Sequence, residues 1–417
     1  MVGMRLARFG ALWCAAITAA SAVATPDSDS FYQPTGDWQT AHAGDILAWR
    51  SIDVDSSNFG KSLKEAYQIL YRTNQNSPDE PQHSVTTVLV PSNVLKNKLV
   101  VAGEAQDSNA AWTAPSYGLS SGSQGSPNFV VDEALLLPYL EAGYIVTVPD
   151  SEGPMNAFAA GRSGGYITLD SVRATLSFDK LALSKNASVA GFGYSGGAQA
   201  ISWAAALKDS YAPELNVVGW AFGGSIPNVT SLIVNTDGTP AAGYAVSAIA
   251  GLVDVYDDLR SAADSILTSD GQEMLNYARR NAIPDVLSQF ANVNVLGSKY
   301  VKRDLLSNLF SKRAASDLLS LPAYRDVARQ NTQGTSRKEV PHVPMYVYHA
   351  ISDEAAPYND VLGTVQAWCS NDANIDFVTY QNPEWTHRST QVSGSVPVFT
   401  FIQDKLSGRS ASTSGCS

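Results

Sequence analysis

Three serines sit in the pattern Gly-x-Ser-x-Gly: Ser120, Ser163 and Ser195. A serine held between glycines at a sharp strand-to-helix turn can attack a carbonyl carbon. The helix that follows points its first N–H groups at the oxyanion that develops. Because the pattern occurs three times, context must separate the matches. Ser120 lies in a polar stretch, 117–123, with no strand before it. Ser163 follows Phe158-Ala159-Ala160, which is not a clear strand, and no clean helix start comes after it. Both read as glycine loops. Ser195 differs: Ser188-Val189-Ala190-Gly191-Phe192-Gly193-Tyr194 reads as a buried strand, and 198–207 is a strong helix former built mostly of small residues. Gly193 and Gly197 flank the turn, where a Cβ would clash. Ser195 is therefore the candidate nucleophile, and the N–H of Gly196 is a candidate oxyanion donor.

A nucleophilic serine needs a base, and the base needs an acid to orient it. In strand-turn-helix hydrolases these follow the serine in the order Asp or Glu, then His. His42 and His83 precede Ser195 and are excluded by that order. His342 and His349 lie before and within a predicted strand at 344–349, where a histidine is more often a hydrogen-bonded core residue. His387, in the predicted loop 382–388 after the last strand, remains as the candidate base. The acid should leave the strand before it: Asp353 lies nearest that strand's end, with Glu354 as competitor. The plainer role for either is to cap a predicted helix at 359–369. A second oxyanion donor should come from the loop after an early strand, 103–108. No His-Gly-Gly-Gly motif marks it, and the residues alone leave the donor open.

These groups need a scaffold. Short apolar strands are predicted over 85–90, 98–102, 144–148, 189–194, 217–222, 344–349 and 377–380, with helices over 133–141, 170–182 and 197–208. Such alternation implies an α/β architecture: a mostly parallel central sheet with helices on both faces. It breaks at 227–341, where helical stretches at 245–259, 271–280 and 303–319 replace strands. This segment reads as an inserted helical cap between two halves of a core, 25–226 and 342–417.

Residues 1–24 read as a signal peptide: Arg5 and Arg8 form a basic start, 11–20 is an apolar run too short to span a bilayer, and Ala22-Val23-Ala24 is a small-x-small cleavage site. Hydrophobic residues at 44% and charged residues at 16% describe a globular chain, neither disordered nor membrane-embedded. Losing Arg5 and Arg8 takes the formal charge from −11 to −13, which argues against nucleic acid as a partner. Cys14 leaves with the signal. Cys369 and Cys416 remain, an even pair in an exported chain, and are expected to form a disulfide. Asn186-Ala-Ser188 and Asn228-Val-Thr230 are glycosylation sequons.

Taken together, Val85-Thr86-Thr87-Val88-Leu89-Val90-Pro91, Asp107-Ser108, Ala114-Pro115-Ser116-Tyr117-Gly118, Pro149-Asp150-Ser151-Glu152-Gly153, Leu169-Asp170-Ser171-Val172-Arg173-Ala174 and Gly193-Tyr194-Ser195-Gly196-Gly197 resemble the fungal secretory lipase family over most of the mature chain. The resemblance implies the α/β-hydrolase fold, a triad of Ser195, Asp353 and His387, and the Asp107 N–H beside Gly196 in the oxyanion hole. It also implies a helical cap over an acyl-binding cleft and hydrolysis of acylglycerols or similar esters without metal or organic cofactor. The expected partner is a small-molecule or lipid ester, with transient lipid-interface contact and a monomeric enzyme. The chain ends 30 residues after His387 (417 less 387), whereas yeast members carry a longer tail that helps cover the site. Some fungal relatives deacetylate secondary metabolites such as trichothecenes, so a short-chain deacetylase is the alternative.

Overall fold

The computed structural model describes residues 23–54, 59–123, 129–301, 317–409 and 416. Most of the expected signal peptide lies outside the described residues, as do Cys14 and most of the helix expected at 303–319. Nine strands form one sheet: β1 (Ile46–Ile52), β2 (Leu63–Asn74), β3 (Pro81–Pro91), β4 (Lys98–Gly103), β5 (Ile145–Pro149), β6 (Ser188–Tyr194), β7 (Val217–Gly223), β8 (Met345–Ala350) and β9 (Ile375–Tyr380). Their spatial order is β1-β2-β3-β5-β4-β6-β7-β8-β9. The first three strands and the β3–β5 pair run antiparallel, and the rest are parallel. Both faces are covered, which is why β4, β5 and β6 read as continuous apolar runs rather than alternating ones.

The helices that matter for the site are α1 (Phe129–Glu141), α2 (Gly161–Ser177) and α3 (Gly196–Tyr211), then the inserted helices α4 (Val229–Thr236), α5 (Ala242–Val255), α6 (Asp257–Ile266), α7 (Ser269–Arg280), α8 (Ile283–Phe290) and α9 (Pro322–Gln330), and finally α10 (Tyr358–Cys369) and α11 (His387–Leu406). The inserted helices all fall between β7 and β8. They carry an apolar cluster of their own, including Leu232, Ile249, Leu252, Leu275 and Val286, and it meets the rest of the molecule at Phe158.

Four sequence expectations are corrected. Strands β1 and β2 were not expected: β1 is at most half-buried, and β2 interrupts its apolar residues with Gln68, Arg72, Thr73 and Asn74. All four are buried: Gln68 donates to the Ser116 carbonyl at 2.6 Å and Thr73 to Asp170 at 2.7 Å, partners that no local pattern reveals. Helix α2 begins at Gly161 and ends at Ser177, instead of spanning 170–182. Its early glycines are not loop residues: a Cβ at Gly161 would stand 2.3 Å from Trp203 Nε1, and one at Gly165 2.8 Å from Trp203 Cβ, so they let α2 press against α3. The helix expected over 245–259 divides at Tyr256, whose extended backbone separates α5 from α6. Lastly, His387 is not in a loop but is the first residue of α11. Thr386 caps that helix, accepting from the Ser389 N–H while Ser389 Oγ accepts from the Thr386 N–H.

Cys369 and Cys416 are disulfide-bonded, and the Cys416 N–H donates to the Ile375 carbonyl. Asn186 is exposed, whereas Asn228 is half-buried and its side chain caps α4, accepting from the N–H groups of Thr230 and Ser231.

Candidate active site

Strand β6 runs straight into α3, and Ser195 is the residue between them. Its φ of 55° and ψ of −126° are strained for a residue with a side chain. The surroundings enforce this geometry. The Ser195 N–H donates to the Gly223 carbonyl of β7, and the Ser195 carbonyl accepts from Gln199 in the first turn of α3. A Cβ at Gly197 would lie 2.0 Å from the Gly103 carbonyl oxygen, and one at Gly193 2.6 Å from the Gly197 carbonyl oxygen. The glycines at this turn are thus required by backbone-to-backbone approach.

Facing Ser195 stands the N-terminus of α11. His387 Nε2 is 2.8 Å from Ser195 Oγ, and His387 Nδ1 is 2.7 Å from Asp353 Oδ2. An ionised carboxylate only accepts, so Nδ1 carries the proton and Nε2 is free to accept from the serine hydroxyl. The other carboxylate oxygen of Asp353 accepts from the N–H groups of Ala355 and Ala356 at 3.0 and 2.7 Å, which fixes the acid in a tight turn. Glu354, the competitor, is exposed. Its carboxylate accepts from the backbone N–H of His387 at 2.9 Å and so serves the start of α11 instead of the imidazole.

Burial disfavours the charged forms of both partners, but their mutual attraction outweighs it. His387 is drawn down by desolvation, yet the charge and hydrogen bond of Asp353 leave it above the ordinary histidine value. Asp353 is pushed up by burial, yet His387 brings it below the ordinary carboxylate value. His349 is the buried core histidine expected from its strand. Nε2 lies 2.9 Å from the Ala356 carbonyl and 3.5 Å from Asp353 Oδ2, so it braces the same turn. Ser120 and Ser163 have other tasks: Ser120 donates to the Ser116 carbonyl, and Ser163 lies 3.4 Å from Gln82 Oε1.

The oxyanion side is less simple. Gly196 is the first residue of α3, where N–H groups lack intrahelical acceptors. Asp107 follows β4 with φ of 51°, and its Oδ2 is 3.4 Å from Ser195 Oγ. The N–H groups of Asp107 and Ser108 are directed at the Glu152 carboxyl. Burial, reinforced by the charge of Asp107, pushes Glu152 well above the usual carboxylate range. An oxyanion at Ser195 would therefore have to share the Asp107 N–H with the Glu152 carboxyl. Sequence reasoning missed Glu152, and it missed Tyr194, whose hydroxyl donates to the His387 carbonyl at 2.6 Å. The positions were visible, Tyr194 beside the nucleophile and Glu152 within a quoted motif, but the distance between the segments they join was not.

A cleft of about 380 Å³ is lined by Ser195 and His387. The inserted helices contribute Tyr244, Pro284 and Leu287 to its wall, and the rest of the chain contributes Ala105, Asp107, Glu354 and Arg388.

A sequence model of the secretory lipase family matches residues 125–414. Among curated proteins, a secreted triacylglycerol lipase of Malassezia furfur, LIP4, is 62% identical over all of this chain and 77% of its own length. A second from the same organism, LIP1, is 43% identical over 95% of this chain and 79% of its own. Among solved structures, Candida antarctica lipase A superposes with a TM-score of 0.85 at 29% identity, covering 95% of this chain and 90% of that one. The chain belongs to the secretory lipase family and is a secreted ester hydrolase built on the α/β-hydrolase fold.

Proposed function

We propose that this chain hydrolyses triacylglycerols through an acyl-enzyme on Ser195. The observation that carries the reading is the unbroken hydrogen-bond chain from Asp353 through His387 to a strained serine at a strand-to-helix turn. His387 takes the Ser195 proton as the oxygen attacks the ester carbonyl, and Asp353 holds the tautomer and stabilises the imidazolium. The N–H groups of Gly196 and Asp107 receive the oxyanion. His387 then protonates the leaving alcohol, and water, deprotonated in turn by His387, releases the fatty acid. Residues 227–341 act as a cap over the acyl-binding cleft. The enzyme acts as a monomer that meets lipid only transiently at an interface; one chain supplies all three reacting side chains, so the chemistry needs no second copy. Asn186, exposed, is the sequon suited to carry a glycan, while Asn228 is occupied with α4. The relatives are named triacylglycerol lipases, which favours lipid esters over acetylated metabolites as substrates.

The test is release of fatty acid from an emulsified triacylglycerol by the enzyme and by Ser195→Ala. Loss of at least about 10³-fold in kcat is expected. Near-full activity in the variant would remove Ser195 from the reaction.

A further inference from the structure

Beside the catalytic cleft lies a second hollow, of about 130 Å³, between α1 and α11. Its wall is largely apolar: Leu135, Tyr139, Phe192, Val398 and Phe399 line it, with Tyr139 stacked on Phe192 at 4.5 Å. Glu104 adds a carboxyl where β4 ends. Two prolines within helices, Pro138 and Pro397, interrupt the hydrogen-bond ladders of α1 and α11 at this level, and so limit how closely the two helices can follow one another.

Two further facts give the hollow a direction. It shares Ala105, Tyr194 and Gln391 with the catalytic cleft, so it adjoins the reacting centre through a wall that includes a small alanine. At its outer side α11 leaves apolar side chains in water one turn apart, Val392 at 55% and Val396 at 71% exposure, and Val396 lines the hollow. An apolar hollow that shares three wall residues with the catalytic cleft and ends on an uncovered apolar rim fits a long, unbranched chain. It does not fit a compact polar ligand.

Resting on the reading of Ser195 as nucleophile, we propose that this recess is a second chain-binding subsite. It takes one alkyl chain of the ester substrate while another part of the substrate lies under the cap. The chain is either the acyl chain being transferred or a chain carried by the leaving alcohol. Both are the same chemistry, and substrate series tell them apart.

The test uses the full chain and two variants. Ser395→Trp directs an indole into the recess from a half-buried position on α11, and Val396→Glu puts a charge at its exposed mouth, where folding is not at stake. Rates are normalised to the fraction of enzyme labelled at serine by a short-chain fluorophosphonate. Two substrate series are run: p-nitrophenyl esters from acetate to palmitate, and acetates of straight-chain alcohols from ethanol to hexadecanol. Two buried methylenes are worth roughly tenfold. The long-to-short ratio of kcat/KM is therefore expected to fall by about tenfold or more in both variants, in the series whose chain occupies the recess. If labelled Ser395→Trp and Val396→Glu keep the wild-type ratio in both series, the subsite does not exist. Absence of labelling in the wild-type enzyme would instead strike at the nucleophile reading. Should Ser395→Trp not fold, Val396→Glu decides alone.

Discussion

The closest backbone approach at the site sets a sharp trial of how the turn at Ser195 works. A methyl group added at Gly197 would lie 2.0 Å from the Gly103 carbonyl oxygen and 2.5 Å from the Gly103 carbonyl carbon. Ordinary contact begins near 3.4 Å, so the substitution Gly197→Ala demands a separation of about 1.4 Å (3.4 less 2.0). Neither side is a flexible side chain that can swing away. Gly103 ends β4 and leads into Asp107, while Gly197 is the second residue of α3, next to Gly196. The displacement is therefore delivered between the two segments proposed to donate to the oxyanion. A misplacement of about 1 Å in a reacting constellation costs on the order of 10²-fold in rate. The assay is kcat on p-nitrophenyl butyrate for Gly197→Ala, normalised to phosphonate-labelled serine. Gly363→Ala in α10 is the control, since its added methyl meets nothing within 4 Å. If folded Gly197→Ala keeps kcat within about threefold of wild type, backbone approach at this turn does not set the catalytic geometry.

Replacing Asp353 with asparagine removes the charge that lifts His387 above the ordinary histidine value, while burial continues to draw it down. By analogy with other triads, kcat is expected to fall by about 10⁴-fold. Because the base must be neutral to act, wild-type activity should be lost as pH falls through a value above 6.5, and in Asp353→Asn that limb should move to lower pH in a pH–rate profile. Asp150 is a stability prediction. Burial lifts it from 3.8 to about 7 despite hydrogen bonds from the Ser116 N–H and hydroxyl. A raised acid contributes stability fully below pH 3.8 and loses it as pH climbs through about 7. At ~1.4 kcal/mol per decade of proton affinity this is about 4 kcal/mol, and urea unfolding of Asp150→Asn between pH 4 and 8 should show a pH dependence weaker than wild type by that order. Opening the Cys369–Cys416 bridge, which closes 47 residues, is expected to cost about 4 kcal/mol in the chain-entropy account, measured as a shift in the unfolding midpoint of Cys369→Ser/Cys416→Ser.

What was legible in the sequence follows from the range over which each signal acts. The turn at Ser195 is coded by seven residues of strand, two glycines and a run of small helix formers, all adjacent, so it could be told apart from Ser120 and Ser163 without any tertiary knowledge. Histidine order along the chain then set aside His42 and His83, and placement on or before a strand set aside His342 and His349, which left His387, although its neighbourhood was misread. Asn382-Pro383-Glu384 looks like loop, and the capping box formed by Thr386 and Ser389 is a weak pattern with serine where glutamate is usual. Helix α2 was cut short for a related reason: Gly161, Gly164 and Gly165 lower helix propensity, and only the approach of Trp203 to Gly161 and Gly165, and of Ala200 and the Ser151 carbonyl to Gly164, shows what they are for. Strand β2 was invisible because buried polar residues blurred its apolar pattern, and β1 because none of its residues is fully buried, so it carries no run of core positions.

Choosing between Asp353 and Glu354 shows most clearly where sequence spacing stops and geometry begins. The two carboxylates are consecutive, both follow β8, and both touch His387, one at the ring and one at the backbone N–H. Their roles differ because the turn after β8 folds back on itself: Ala355 and Ala356 donate to Asp353, His349 closes on the Ala356 carbonyl, and the acid side chain is sealed from solvent while Glu354 is left outside. A buried acid can hold an imidazole tautomer, because its hydrogen bond is made in low dielectric with no competing water. An exposed acid can only favour the helix start on which the imidazole is mounted. The division of labour therefore arises from one turn, and the core histidine that braces it belongs to the architecture of the acid rather than to the chemistry of the base.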